Sequence, residues 1–160
     1  TPEIAQEVVN ASLYAPDGLR GMAGIGNHTD YETGPVGETQ RFLNAQIHLA
    51  IMFESQQAFD NIDAIMSVPG IHAVTLGPSD LAQELGVFGT PDQGKVLDDY
   101  RTQLIEAAAR HSKDVSMLVG SIEQGEQWIR AGAKIICYSS EVEILRRGIM
   151  EAATRLHAVT

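Results

Sequence analysis

From residue 47 onward the chain alternates four times between a short apolar run and a longer stretch with helical spacing. The runs 47–53, 71–76, 115–119 and 134–138 are too short for stable helices and rich in Ile, Val and Leu. The stretches 55–67, 95–111, 121–131 and 140–157 place apolar residues three and four positions apart. Repeated strand–helix units joined by right-handed crossovers require a parallel α/β sheet. Continuous apolar runs predict strands buried on both faces. Two architectures satisfy this order: an open doubly wound sheet, or half of a (β/α)8 barrel, since a whole barrel takes about 250 residues and the four units here fill about 115. A half barrel by itself leaves two sheet edges and its inner face bare, so it calls for an N-terminal half, another chain, or both.

Local signals mark the helix ends. Thr1-Pro2-Glu3 reads as an N-cap, an N1 proline and a first-turn acid. The helix it opens, 2–13, carries Ile4, Val8 and Ala11 on one face. A chain that opens on a helix cap is expected to be the later part of something longer, with its 160 residues forming one domain. Ser55 caps 55–67, whose inner face is Phe59, Ile62, Ile65 and Met66. Helix 95–111 presents Val96, Tyr100, Leu104 and Ala108, and Gly132 closes 121–131 as a left-handed C-cap. The last helix aligns Val142, Leu145, Ile149, Ala152 and Leu156, with Ile144 and Met150 off that stripe. Apolar residues outside the buried stripe predict an interface. A glycine-rich loop spans 18–37, followed by a short helix over 38–45, and another short helix is expected near 79–85.

The formal net charge of −10, with scattered Lys and Arg, argues against nucleic-acid and anionic-membrane partners. No apolar run reaches the ~18 residues that would span a bilayer. The lone Cys137 fits a reducing, cytoplasmic compartment and, lying in a strand, is expected in the core.

Two acids stand just past consecutive strands: Glu54 after 47–53, and Asp80 after 71–76 in Gly77-Pro78-Ser79-Asp80-Leu81. Neighbouring parallel strands lie about 4.8 Å apart, so carboxylates at their C-terminal ends can converge on one hard divalent cation. That end of a parallel sheet is where sites are built. Each acid could equally serve a helix N-terminus. The turn through Gly77 to Asp80 directs backbone N–H groups to the same space, where a ligand carboxylate could dock. Gly21-Met-Ala-Gly-Ile-Gly26 is not a nucleotide loop, because it follows a helix and a turn and lacks a Lys-Ser/Thr pair. His48 and His72, early in successive strands, read as structural, and His111 and His157 suit helix C-termini. His28, in the glycine-rich loop, is retained as a candidate site residue, and Trp128 reads as packing.

Taken together, Tyr14-Ala-Pro-Asp-Gly-Leu-Arg-Gly21, Ile51-Met-Phe-Glu-Ser55, Val68-Pro-Gly-Ile71, Leu76-Gly-Pro-Ser-Asp-Leu-Ala82, Ile129-Arg-Ala-Gly-Ala133 and the stretch 139–153 resemble the HpcH/HpaI aldolases. These are metal-dependent class II 2-oxo-acid aldolases, a group that includes macrophomate synthase. The resemblance covers nearly the whole chain and implies a (β/α)8 TIM barrel of the phosphoenolpyruvate/pyruvate type, of which this chain is the C-terminal half.

It further implies that Glu54 and Asp80 are the protein ligands of Mg²⁺, with Mn²⁺ or Co²⁺ as alternatives. The metal would chelate pyruvate and stabilise its enolate. The backbone N–H groups of Ser79 and Asp80 would hold the pyruvate carboxylate, and Leu118 would line the pocket near its methyl group. The implied reaction is retro-aldol cleavage of a 4-hydroxy-2-oxo acid or decarboxylation of oxaloacetate. Alternatives are addition of the enolate to a second substrate, as in macrophomate synthase, a CoA-ester lyase of the same barrel type, or a non-catalytic half barrel. The family's catalytic His and substrate-orienting Arg come from the first half of the barrel, so these residues alone are expected to be inactive. Arg20 belongs to the Arg-Gly motif and is not that arginine. Met52 stands where the family commonly has Gln, and Gly24-Ile-Gly-Asn-His-Thr29 replaces a serine-bearing loop. The resemblance also implies a homo-oligomer with contacts through the C-terminal helix.

Overall fold

The computed structural model describes residues 1–32 and 34–159. Four short strands, β1 (Ala50–Phe53), β2 (Ala73–Leu76), β3 (Asp114–Val119) and β4 (Ile135–Tyr138), form one parallel sheet in chain order. The register pairs Phe53 with Leu76, Val74 with Val115, and Leu118 with Cys137. Eight α-helices are found among the described residues: α1 (Pro2–Ser12), α2 (Val36–Gln46), α3 (Gln56–Asp60), α4 (Ile62–Met66), α5 (Pro78–Glu84), α6 (Gln93–Arg110), α7 (Ile122–Ala131) and α8 (Glu141–His157). None is long and apolar enough to cross a membrane.

Side chains alternate along a strand, so the register divides the sheet into two faces. Ile51, Phe53, Val74, Leu76, Val115, Met117 and Val119 belong to one face. Leu97, Leu104, Ala107 and Ala108 of α6, Ile65 and Met66 of α4, and Trp128 of α7 join the same core. The other face carries Met52, Thr75, Ser116, Leu118, Ile135 and Cys137. There Met52 is 56% exposed and Leu118 48%. The expectation of strands buried on both faces is therefore corrected: helices cover one side only. Cys137, expected in the core, is exposed for the same reason and because β4 is an edge strand.

The cap signals hold. The hydroxyls of Thr1 and Ser55 accept the N–H of Ile4 and Ala58, and those of Ser121 and Ser140, not assigned as caps from the sequence, accept the N–H of Gln124 and Glu143. Gly132 ends α7 at φ 115°, a left-handed conformation that side chains rarely adopt. Three details differ from expectation. In α1 the buried residues are Ala5 and Val9, because those positions meet α4, while Ile4 and Val8 stay exposed. The helix expected over 55–67 is two, broken at Asn61 (φ −109°, ψ 18°). The strand expected from residue 47 begins at Ala50, since Leu49 is spent on the approach to β2: its carbonyl accepts the N–H of His72 and Ala73.

The α8 helix has no buried residue, so its apolar stripe is bare. It is fastened by Arg147, whose guanidinium donates to the Gly120 carbonyl (3.0 Å) and the Ser139 hydroxyl (3.3 Å) and lies over the Tyr138 ring. Among the described residues the glycine-rich segment is irregular apart from one 3₁₀ turn, Asn27–Thr29, and its last two residues, Val36 and Gly37, already belong to α2, which starts before the expected residue 38. Thr33, also assigned to that loop from the sequence, lies outside the described residues.

Candidate functional site

The ends of β1 and β2 are tied by the Gly77 N–H, which donates to the Phe53 carbonyl at 2.8 Å. The next step in the parallel register therefore sets Glu54 beside Gly77. Beyond Glu54 the chain turns into α3 at Ser55. Beyond Gly77 it enters α5 directly, with Pro78 in the first turn and Asp80 two residues on.

The Glu54 side chain lies across Gly77. A Cβ added to Gly77 would stand 2.6 Å from Glu54 Cβ, 2.8 Å from Glu54 Oε2 and 2.9 Å from Met52 Sδ. Glu54 and Asp80 are both exposed, and neither carboxylate has a hydrogen bond or ion pair among the described residues. Each is a hard oxygen donor left to solvent just beyond one of two neighbouring strands, the kind of group that suits a hard cation that keeps several waters. The cradle over Gly77, which only the absence of a side chain leaves open, places one of those donors there. The described residues hold no cluster of three or more His, Cys, Asp or Glu arranged for a metal.

Ser79 and Asp80 belong to the first turn of α5, ahead of its opening bond from Leu81 N–H to the Gly77 carbonyl. Their N–H groups are among those a helix leaves without an internal acceptor. Leu118, the last but one residue of β3, lies on the same open face, one strand beyond β2. Glu54, Asp80 and Leu118 thus mark the C-terminal ends of three consecutive strands.

Cavities lie at both sides of these strand ends. One, of about 430 Å³, is lined by Met52, Phe53 and Glu54 and by Ile4 and Val8 of α1. The other, of about 370 Å³, is lined by Leu118, Arg101, Gly120 and Ser139. Arg101 is held by Asp98 at 2.6 Å and faces the Trp128 ring, which is buried as expected.

The remaining candidates lie apart from this corner. His28 Nε2 is 3.2 Å from the Ala23 carbonyl, and its ring borders a different groove with Asp30, Glu32 and Phe42. The Arg20 guanidinium stacks over the Tyr14 ring, 4.7 Å from its centroid. His48 and His72 sit at the opposite end of the strands with ring centroids 5.2 Å apart. Burial first, then the charges of His48 and Lys113, push the His72 pKa below its ordinary value. Sequence reasoning missed the seat formed by Gly77 and Met52. The signal was present, a glycine between a strand end and Pro78, but its cause is a contact across strands.

Residues 1–147 match the sequence profile of the HpcH/HpaI aldolase/citrate lyase family. A 5-keto-4-deoxy-D-glucarate aldolase of Escherichia coli O6:H1 is 30% identical over 156 residues, 96% of this chain and 59% of that protein. The crystal structure of an HpcH/HpaI aldolase from Desulfitobacterium hafniense DCB-2 superposes with a TM-score of 0.86 at 27% identity, covering 98% of this chain and 60% of that one. Macrophomate synthase shares the fold, with a TM-score of 0.84 at 22% identity over 99% of this chain and 56% of its own. The chain spans about 59% of the length of the curated aldolases it matches.

Proposed function

This chain belongs to the HpcH/HpaI aldolase/citrate lyase family, and we propose that it forms the metal-holding, C-terminal half of a TIM-barrel carbon–carbon lyase acting on 2-oxo acids. The observation that carries this reading is the Glu54 carboxylate lying across Gly77 at the root of the helix that bears Asp80. The bare sheet face, with Met52, Leu118 and Ile135 exposed, supports the half-barrel part of it.

When bound, a divalent cation, Mg²⁺ in first place, would supply Lewis-acid polarisation of a 2-oxo acid. The chain's own residues do the rest of the binding. Glu54 and Asp80 hold the cation by hard oxygen donors. The first-turn N–H groups of Ser79 and Asp80 present partial positive charge to the substrate carboxylate. Leu118 supplies an apolar wall beside the substrate's methyl end. The catalytic His and the substrate-orienting Arg that the family resemblance implies belong to the other half of the barrel, so these residues alone are inactive. The reaction is retro-aldol cleavage of a 4-hydroxy-2-oxo acid, with oxaloacetate decarboxylation as the related route to the same three-carbon product. The exposed apolar side chains of α8, Val142, Ile144, Leu145, Ile149 and Met150, support a homo-oligomer assembled through that helix.

The test is pyruvate release from 4-hydroxy-2-oxo acids and from oxaloacetate by the intact protein, with and without EDTA. Chelation should abolish turnover and Mg²⁺ should restore it. Because such polarisation is worth several kcal/mol, Glu54→Gln should lower kcat/KM by about 100-fold or more. Activity indifferent to both would overturn the reading. Metal binding without pyruvate from either substrate would mark a non-catalytic module instead.

A further inference from the structure

Gly77 adopts φ −91° and ψ 92°, a backbone conformation open to any residue, so its dihedrals do not explain the glycine. The space around it does. The three atoms nearest to where a Cβ would stand lie within 3.0 Å, and all come from β1 or the residue that follows it: Glu54 Cβ, Glu54 Oε2 and Met52 Sδ. Positions 52 and 54 are two apart and project to the same side of β1. The thioether and the carboxylate therefore border the same point above Gly77. Met52 is more than half exposed and adds little to the core, and its thioether and the Glu54 carboxylate each lie within 3.0 Å of the same point above Gly77.

We infer that Gly77 and Met52 are positioning residues for Glu54, Gly77 as the floor on which the carboxylate lies and Met52 as the wall that limits its rotation. This rests on the reading of Glu54 and Asp80 as cation ligands and adds to it the device that orders one of them. A glutamate side chain free in solvent loses rotamer freedom when it takes up a ligand, and one already seated loses less. Any side chain at position 77 displaces Glu54, and a shortened residue 52 lets it swing.

The test is Mn²⁺ titration of the intact protein, followed by the electron paramagnetic resonance signal of free Mn²⁺, with the metal-free Tm of each variant as control. Gly77→Ala should weaken Mn²⁺ binding by about tenfold or more, as loss of a group that orients a metal ligand does. Met52→Ala should weaken it by about threefold, the scale of a modest loss of side-chain ordering, with the Tm unchanged. Met52→Gln, of similar length, should stay within about twofold of wild type, a conservative rescue of the same ordering effect. If Gly77→Ala fails to fold, the comparison of Met52→Ala with Met52→Gln decides. Wild-type affinity in Met52→Ala, or equal loss in both Met52 variants, overturns the inference. Glu54→Gln separates the two levels: if it abolishes binding while Gly77→Ala and Met52→Ala keep wild-type affinity, only the positioning roles fall. If it leaves Mn²⁺ affinity unchanged, the cation reading falls and takes the inference with it.

Discussion

At His72 a single ring is committed by its neighbours. Nδ1 accepts the N–H of Leu49 at 3.1 Å, so the ring proton sits on Nε2. Protonating Nδ1 would set two N–H groups against each other at the point where β1 approaches β2. The surrounding charges are His48, Lys113, and Asp114 with its partner Lys134. Burial, then His48 and Lys113, hold the pKa below the ordinary histidine value. A group depressed in the folded state contributes stability that is complete above its unfolded pKa, about 6.5 for His, and that is lost as pH falls. We expect the thermal midpoint to decline as pH drops from about 7.5 to about 5.5, and the decline to flatten in His72→Asn. Asp63 is held low by His111 and Arg110, and Asp114 by Lys134. Protonation of these carboxylates begins only near pH 4, below the histidine range, and the comparison with His72→Asn isolates the part of the decline that belongs to His72. Parallel curves for wild type and His72→Asn would remove His72 from the account. The same scale shows what was legible at the site. Glu54 and Asp80 could be named because each follows a recognisable strand, whereas Met52 acquires its role only from Gly77, a residue of the neighbouring strand end.

Among the elements, α7 offers the cleanest test, because its stop is a matter of backbone geometry alone. A Cβ at Gly132 would meet only Ile105 Cγ2, at an ordinary 3.6 Å, so space is not at issue. The φ of 115° is, and Gly132→Ala should lower stability by about 1 kcal/mol or more, read from urea or thermal unfolding. An unchanged midpoint would mean that the turn relaxes to another conformation. The helix ends marked by Thr1, Ser55 and Gly132 were readable, since these residues act on backbone within one turn of themselves. What faces what was not. In α1 both Ile4–Val8 and Ala5–Val9 make apolar stripes, and only the position of α4 selects the second. Cys137 looked like core because its strand is apolar, and it is exposed because nothing covers that face of β4. The break at Asn61 has no comparable local signal, since neither Gly nor Pro marks it.

Over the whole molecule, exposed large apolar side chains run the length of α8 and recur on the open face of the sheet at Met52, Leu118 and Ile135. If α8 is an assembly surface, light scattering of the intact protein should give a multiple of the subunit mass. Ile144→Asp combined with Met150→Asp should lower both that mass and the Tm, since each places a charge where apolar contact is needed. A monomeric parent, or a double variant with unchanged mass and Tm, would refute it. The order of the strands has a consequence of another kind. β1 pairs with β2, β2 with β3 and β3 with β4, so strand order in space equals order along the chain. Every pairing closes a short loop, and none waits for a remote segment to be synthesised. A ribosome making this protein can release β1 and β2 as a joined pair while β4 is still inside the exit tunnel. Each finished unit then templates the next, and a slip in one register reaches no farther than the strands on either side.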